Sequence, residues 1–169
     1  MRTEVLPVVA RSVKTSPALL QVASTASAML RQLAIKPYTP TRRTREFALR
    51  DRLPSFHGAR TQIYRERGDG SQPTIIVAGF VPDATEVVEF QRPLLKQYGS
   101  IYYLNYARNA FSAPLFHAQL ADLIEDLNAR GERPVLFGIS FGSGLVADFL
   151  RDLPSGVNIR GVVMVSPVL

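Results

Sequence analysis

The residues best placed to do chemistry are 138–142, which read Gly-Ile-Ser-Phe-Gly, a G-x-S-x-G sequence. A buried strand is predicted just before them and an amphipathic helix just after them. A serine on such a sharp strand-to-helix turn has its hydroxyl exposed at the carboxyl edge of the sheet, above helix N–H groups that favour a developing anion. Gly138 and Gly142 omit side chains that would collide with neighbouring strand and helix. The pattern therefore predicts that Ser140 is a nucleophile.

A glycine-rich turn that serves only the close packing of strand and helix is the plain structural explanation of this segment. Two nucleotide-binding motifs do not fit it. A dinucleotide-binding turn needs G-x-G-x-x-G, and Ser140 stands where the middle glycine would be. A phosphate-binding P-loop needs G-K-[ST], and no lysine follows Gly144. The nucleophilic turn and the packing turn stay open as interpretations.

A serine nucleophile needs a neighbouring base, because an unassisted hydroxyl attacks poorly. The chain has two histidines. His57 is expected at the surface, and His117 is expected to face solvent or to pack, although its loop belongs to the same sheet edge as Ser140. The acids after Ser140 are Asp148 and Asp152, both inside the next predicted helix. The sequence thus offers no evident base for this serine.

Polar residues of two more loops also belong to this edge of the sheet. Asn105, Tyr106, Arg108 and Asn109 come at and after the end of one predicted strand, where they are either substrate contacts or ordinary loop polarity. Asp83 begins a predicted helix, and a capping role explains it fully.

Strands and helices alternate from residue 74 onward. Apolar, β-branched runs typical of buried strands fall at 74–79, 100–106, 134–139 and 161–165. Amphipathic helices are predicted between them, from Asp83 to Gly99, over 114–129 and over 142–153. This alternation predicts an α/β fold, with a mostly parallel sheet and helices on both of its faces. Two short strands are predicted earlier, over 45–51 and 61–67, where polar and apolar residues alternate.

From about residue 45 to residue 169 the chain resembles the N-terminal half of an α/β-hydrolase. The G-x-S-x-G turn is the one specific motif, and the pair of strands within 45–67 is similar to the opening hairpin of that fold. The resemblance implies that strand 74–79 is the third strand and that strand 134–139 is the fifth, which delivers the nucleophile Ser140. It also implies two oxyanion-hole donors, the backbone N–H of Phe141 and that of Phe80 in the loop Gly79-Phe80-Val81-Pro82. The chain departs from the family in this loop, where members often carry His-Gly.

The larger departure from the family is the absence of the remaining triad residues. In this family the acid and the histidine follow the serine in the chain, and no histidine follows Ser140 here. We therefore expect a partial domain that stops after about the sixth strand and is catalytically incomplete as it stands. Residues 161–169 would then present an apolar strand without a partner, which predicts aggregation or self-association.

The net positive charge of the chain is concentrated in its N-terminal segment. The formal net charge of the 169 residues is +6, whereas residues 1–50 carry nine Lys/Arg against two Glu, a net charge of +7. An amphipathic helix is predicted at about 17–35, and Pro37 and Pro40 end it. Residues 1–40 are thus interpreted as a basic N-terminal extension, and residues 41–169 as the partial hydrolase domain. The helix is expected to pack on the domain, or to contact an anionic membrane weakly.

Composition narrows the choice of function. The chain lacks cysteine, which excludes disulfides, thiolate metal sites and cysteine nucleophiles, and no metal or other cofactor is expected. A basic stripe with interleaved aromatics is missing, so no nucleic-acid partner is expected. The residues before Ala26-Ser27-Ala28 form a poor apolar core for a signal peptide, which favours a cytoplasmic location.

Two functions of different classes follow from these observations. The first is a serine hydrolase that acts on a small-molecule ester, thioester or amide through an acyl-enzyme at Ser140. The second is a non-catalytic domain of the same fold that binds an acyl or small apolar ligand, or a partner protein.

Overall fold

A computed structural model describes residues 33–80, 84–89, 91–107 and 109–166. The described strands are β1 (Ile35–Pro37), β2 (Gln62–Glu66), β3 (Thr74–Val77), β4 (Ile101–Asn105), β5 (Val135–Ile139) and β6 (Gly161–Val165). The described helices are α1 (Thr44–Ala48), α2 (Phe56–Ala59), α3 (Ala84–Val87), α4 (Arg92–Tyr98), α5 (Ala113–Asn128) and α6 (Phe141–Arg151). No helix in these ranges is long and apolar enough to cross a membrane.

The six strands form one mixed sheet in the order β1-β2-β4-β3-β5-β6. The four strands β4, β3, β5 and β6 run parallel to one another, whereas β2 is antiparallel to both β1 and β4. The strand β5 lies between β3 and β6, and Gly138 near its end is aligned with Val77 on one side and Met164 on the other. The predicted α/β class with a mostly parallel sheet is confirmed.

Helices pack on both faces of this sheet, as predicted. One apolar cluster joins β3 and β4 to α5 and α6, with Leu120, Leu123 and Phe149 buried in it. The cluster on the opposite face contains Tyr103 of β4 and Ala84 of α3. Because β3 and β4 are covered on both sides, their residues form continuous buried runs rather than an alternating pattern.

The predicted strand 45–51 is wrong, because Thr44–Ala48 is the helix α1. The cause is a contact that is distant in the sequence. The carboxylate of Asp122 on α5 accepts the backbone N–H groups of Arg45 at 3.1 Å and of Glu46 at 2.9 Å, and so satisfies donors in the first turn of the helix. The antiparallel neighbour of β2 at the sheet edge is therefore β1 and not residues 45–51, so the predicted opening hairpin is corrected as well.

The predicted helix between Asp83 and Gly99 is divided into α3 and α4. Pro93 lies at the start of α4, where its missing N–H is tolerated, and inside one continuous helix it would have broken the hydrogen-bond series. The predicted end is confirmed, since the backbone N–H of Gly99 donates to the Leu95 carbonyl at 3.2 Å. Asp83 lies outside the described residues.

β1 begins only two residues after the described part of the chain starts. It lies within the last third of the segment interpreted as an extension, 1–40, and pairs with β2 from Ile35 opposite Glu66 to Pro37 opposite Tyr64. Residues 1–32 lie outside the described ranges. The predicted helix at 17–35 falls largely on those residues, so the extension and its helix stay predictions.

Strand β6 is the outer strand of the sheet among the described elements. Its apolar residues Val163, Met164 and Val165 are 41%, 37% and 40% exposed. Consecutive strand residues point to opposite faces, so both faces of β6 are partly exposed at its end, while Val162 earlier in the strand packs against the apolar cluster of α5 and α6.

Candidate active site

Ser140 lies between the last residue of β5 and the first residue of α6. Its backbone has φ 52° and ψ −121°, a conformation that residues other than glycine rarely adopt. Two hydrogen bonds hold it there. The Ser140 N–H donates to the Val165 carbonyl of β6 at 2.8 Å, and the Ser140 carbonyl accepts the Ser143 N–H at 2.9 Å. The strained turn is therefore held from the neighbouring strand and from its own helix.

The two glycines of the turn lie where no side chain fits. A Cβ on Gly142 would stand 2.1 Å from the Val77 carbonyl oxygen, because α6 begins directly against the end of β3. A Cβ on Gly138 would stand 2.8 Å from the Cα of Ser143. Both positions thus require glycine for close backbone approach, which is what allows the abrupt change from strand to helix.

The loop after β3 lies beside the serine. A Cβ on Gly79 would be 3.3 Å from the Ser140 Cβ and 3.7 Å from its Oγ. The carbonyl of Ala78, one residue earlier, accepts a hydrogen bond from the Tyr106 hydroxyl at 3.0 Å. That bond fixes the end of β3 relative to the loop after β4, so this loop helps to hold Gly79 beside Ser140.

The two residues predicted to supply oxyanion donors are brought together. Phe80 follows Gly79, Phe141 follows Ser140, and their rings stack with centroids 4.3 Å apart. Phe141 is also the first residue of α6, where backbone N–H groups have no partner within the helix. The arrangement can place donors from a loop and from a helix N-terminus next to one hydroxyl. Residues 81–83 of the same loop lie outside the described ranges.

An aromatic surface adjoins the serine. The Phe141 ring lies 6.1 Å from that of Tyr106 and 6.2 Å from that of Phe111. Phe80, which covers Phe141, is 50% exposed. Aromatic rings therefore surround Phe141, the residue next to the serine, and the Phe80 ring is exposed among them.

Neither histidine has a contact with Ser140 among the described residues. His117 packs against the later part of α6, with its Nε2 3.5 Å from Asp148 Oδ2 and its ring 5.7 Å from that of Phe149. Residue 148 lies about 12 Å along the helix axis from residue 140, at 1.5 Å per residue. Burial lowers the pKa of His117 and outweighs the opposite effect of Asp148. His57 is exposed on α2, beside the Phe56 ring.

Among the remaining polar residues predicted at this edge, Asn105 has a structural role. Its Oδ1 accepts the backbone N–H of Ala84 at 3.1 Å and so positions the start of α3. Arg108 lies outside the described residues. Groups of three or more His, Asp or Glu side chains that could hold a metal ion are absent from the described part of the chain.

Sequence reasoning missed Ser143, which supports the turn, and did not find the structural contact that Tyr106 makes. Ser143 is fully buried and its hydroxyl donates to the Val165 carbonyl at 3.3 Å, the same oxygen that accepts the Ser140 N–H. Tyr106, which the sequence identifies only as a polar residue after a strand, donates a hydrogen bond from its hydroxyl to the Ala78 carbonyl. Each depends on strand neighbours that periodicity does not reveal.

Several solved structures are similar to this chain in fold. An esterase from Rhodococcus sp. is 19% identical, with a TM-score of 0.50 over 64% of this chain and 42% of that chain. An esterase from Exiguobacterium antarcticum is 17% identical, with a TM-score of 0.47 over 63% and 42%. An α/β hydrolase from Novosphingobium aromaticivorans is 18% identical, with a TM-score of 0.47 over 77% and 42%. No family model and no curated protein matches the chain.

The likeness to the Rhodococcus esterase concerns the fold alone. Together with the strand order and the helices on both faces, it identifies an α/β-hydrolase-type fold. The chain spans about 42% of the length of the solved structures it matches.

Proposed function

We propose that these residues form the nucleophile-bearing part of a serine hydrolase that cleaves an ester, thioester or amide of a small molecule. The observation that carries the proposal is the backbone of Ser140, held at φ 52° between a buried strand and a helix. A non-glycine residue in such a conformation costs about 1–3 kcal/mol and persists at functional sites, because the surrounding structure over-determines it.

In the proposed reaction the Oγ of Ser140 attacks the carbonyl carbon of the substrate, and the carbonyl oxygen becomes an oxyanion. The backbone N–H groups of Phe141 and Phe80 donate to that oxyanion. The tetrahedral adduct collapses to an acyl-enzyme with loss of the alcohol, thiol or amine, and water then releases the acid. We propose that the base which takes the serine proton, and the acid which orients it, lie outside these 169 residues.

Covalent labelling tests this proposal. In the full-length protein, a fluorophosphonate probe should react with Ser140, displacing fluoride, and peptide mass spectrometry should locate the adduct on that residue. Ser140→Ala should abolish the adduct. Ser155→Ala is the matched control, because Ser155 is an exposed serine on a different loop, and its loss should leave labelling unchanged. An adduct that survives Ser140→Ala would contradict the assignment.

A non-catalytic ligand-binding domain is the second candidate, and two observations favour it. Neither His57 nor His117 has a contact with Ser140 in the described residues, while Phe80 keeps half of its aromatic surface exposed. Binding of a fluorescent fatty acid separates the two candidates. A pure binding domain should take up the probe without fluorophosphonate labelling, and Phe80→Ser should weaken that uptake while Ser140→Ala leaves it intact.

A further inference from the structure

A cavity of about 530 Å³ opens at the β1–β2 edge of the sheet, and it is lined by Lys36, Tyr38, Arg65, Arg67 and Lys96, among others. It lies at the opposite end of the strands from the serine. Its lining residue Glu66 is opposite Ile101, which begins β4, whereas the serine follows the carboxyl end of β5. The cavity is thus separate from the candidate active site.

The charge in this cavity is unbalanced. Lys36, Arg65 and Arg67 have no carboxylate within 4.0 Å among the described residues. The one acid in the lining is Glu66, and its carboxylate is already paired with other side chains. Its oxygens accept two hydrogen bonds from Arg92, at 2.7 and 2.9 Å, and one from the Tyr103 hydroxyl, and Lys96 lies at 3.2 Å.

Three of the cations belong to one face of the sheet. Arg65 is directly opposite Lys36 across the β1–β2 pair, and paired residues project to the same side. Arg67 follows two residues after Arg65, the spacing that keeps residues on one face of an extended chain. Their positive charges are therefore close together rather than distributed around the edge.

Arg65 is positioned before any ligand arrives. Its Nη2 donates to the Ser100 hydroxyl at 3.2 Å, and its guanidinium lies 5.7 Å from the Tyr102 ring centre and 6.0 Å from that of Tyr38. Its Nε is buried without an acceptor. A partly buried guanidinium without a counter-ion is costly, and its planar set of donors suits the oxygens of a phosphate.

We propose that this cavity binds a phosphate-bearing ligand, with Lys36, Arg65 and Arg67 around the phosphate. A phosphate dianion would neutralise most of the uncompensated charge, and the cavity volume falls in the range of small-molecule sites. The same chemistry occurs in a soluble phosphate ester and in a phospholipid headgroup. The proposal is independent of the proposed hydrolase activity.

Titration calorimetry with pyrophosphate tests the soluble source, and co-sedimentation with phosphatidic acid vesicles, against phosphatidylcholine vesicles, tests the lipid source. Both are done on the full chain at constant ionic strength. We expect saturable binding to at least one probe. The double variant Lys36→Gln/Arg67→Gln should weaken it by about tenfold or more, since each lost cation removes a charge-assisted contact. Both side chains are exposed, so the fold should persist, which unfolding curves will check.

The matched control is Arg133→Gln/Arg160→Gln, which removes the same charge from exposed positions elsewhere. A loss confined to the cavity variant supports the proposal, and the probe that loses binding identifies the source of the phosphate. Arg65→Lys keeps the charge but not the planar donors and should also weaken binding. Equal losses in the two double variants, or no saturable binding to either probe, would overturn the proposal.

Discussion

Gly142→Ala tests whether the serine turn depends on the approach of α6 to β3. The added Cβ would stand 2.1 Å from the Val77 carbonyl oxygen and 2.4 Å from that of Ala78. An ordinary carbon–oxygen contact is about 3.3 Å, so the helix start and the strand end would have to separate by about 1.2 Å. Both oxygens are backbone atoms at the end of β3, so no side-chain rotation can relieve the clash.

The expected magnitude follows from two opposing effects. Overpacking a well-packed site costs about 1–3 kcal/mol, and a clash with backbone belongs at the upper end, near 3 kcal/mol. Alanine in place of glycine gains at most about 1 kcal/mol of helix propensity. The free energy of unfolding should therefore fall by about 2 kcal/mol or more. For a chain of this length that lowers the melting temperature by roughly 4–8 °C.

Thermal and urea unfolding followed by circular dichroism measures the difference. Gly58→Ala is the matched control, because Gly58 lies within the helix α2 and a Cβ there would meet nothing within 4 Å. It should raise stability by roughly 0.5–1 kcal/mol. The same chemical change is thus expected to have opposite signs at the two sites. A Gly142→Ala variant within 0.5 kcal/mol of the parent, on the order of an ordinary surface substitution, would refute the close-approach argument.

Two more perturbations address strain and charge. The free energy of unfolding of Ser140→Gly should be about 1–2 kcal/mol higher than that of Ser140→Ala, because only glycine adopts φ 52° without strain. Alanine is usually the more stabilising of the two residues, so this order is the reverse of the usual one. Equal free energies of unfolding in urea would show that the turn is unstrained. Glu66 is 1% exposed, and although burial opposes ionisation, hydrogen bonds from Arg92, Tyr103 and Lys96 hold the pKa of its carboxyl below its ordinary value of 4.5. Glu66→Gln should therefore cost about 3 kcal/mol at neutral pH, and the gap to the parent should stay constant above pH 4.5 and shrink as the pH falls through the lowered pKa. A gap that does not change down to pH 3, about 1.5 units below the ordinary pKa of this carboxyl, would contradict this account of Glu66.

The parts of the fold that local sequence predicts well are those in which local preference and burial agree. The strand predicted over 100–106 is observed as Ile101–Asn105, with four of its five residues buried, and the helix predicted over 114–129 is observed as Ala113–Asn128. A run of β-branched residues buried on both faces, or an amphipathic stripe several turns long, carries enough local signal to survive any tertiary context.

Residues 45–51 show where local signal fails. Their alternation suits a strand, but a five-residue helix is stable there because Asp122, more than seventy residues later, satisfies its first N–H groups. Short segments have weak intrinsic preferences, so one distant pair of hydrogen bonds decides between helix and strand. The partner of β2 changes with them, and the edge strand becomes Ile35–Pro37.

The candidate site likewise has features that the local sequence predicts and features that depend on long-range contacts. The serine between two glycines at a strand-to-helix junction could be predicted from the sequence alone, because a turn of this kind is encoded within five consecutive residues. The sequence does not predict that Gly79 faces Ser140, that Phe80 stacks on Phe141, or that His117 packs against Asp148 and Phe149 of α6. The tertiary structure decided these contacts, and it also decided that Lys36, Arg65 and Arg67 share one cavity edge. These relations depend on strand order and register, which long-range pairing sets and which local periodicity does not contain.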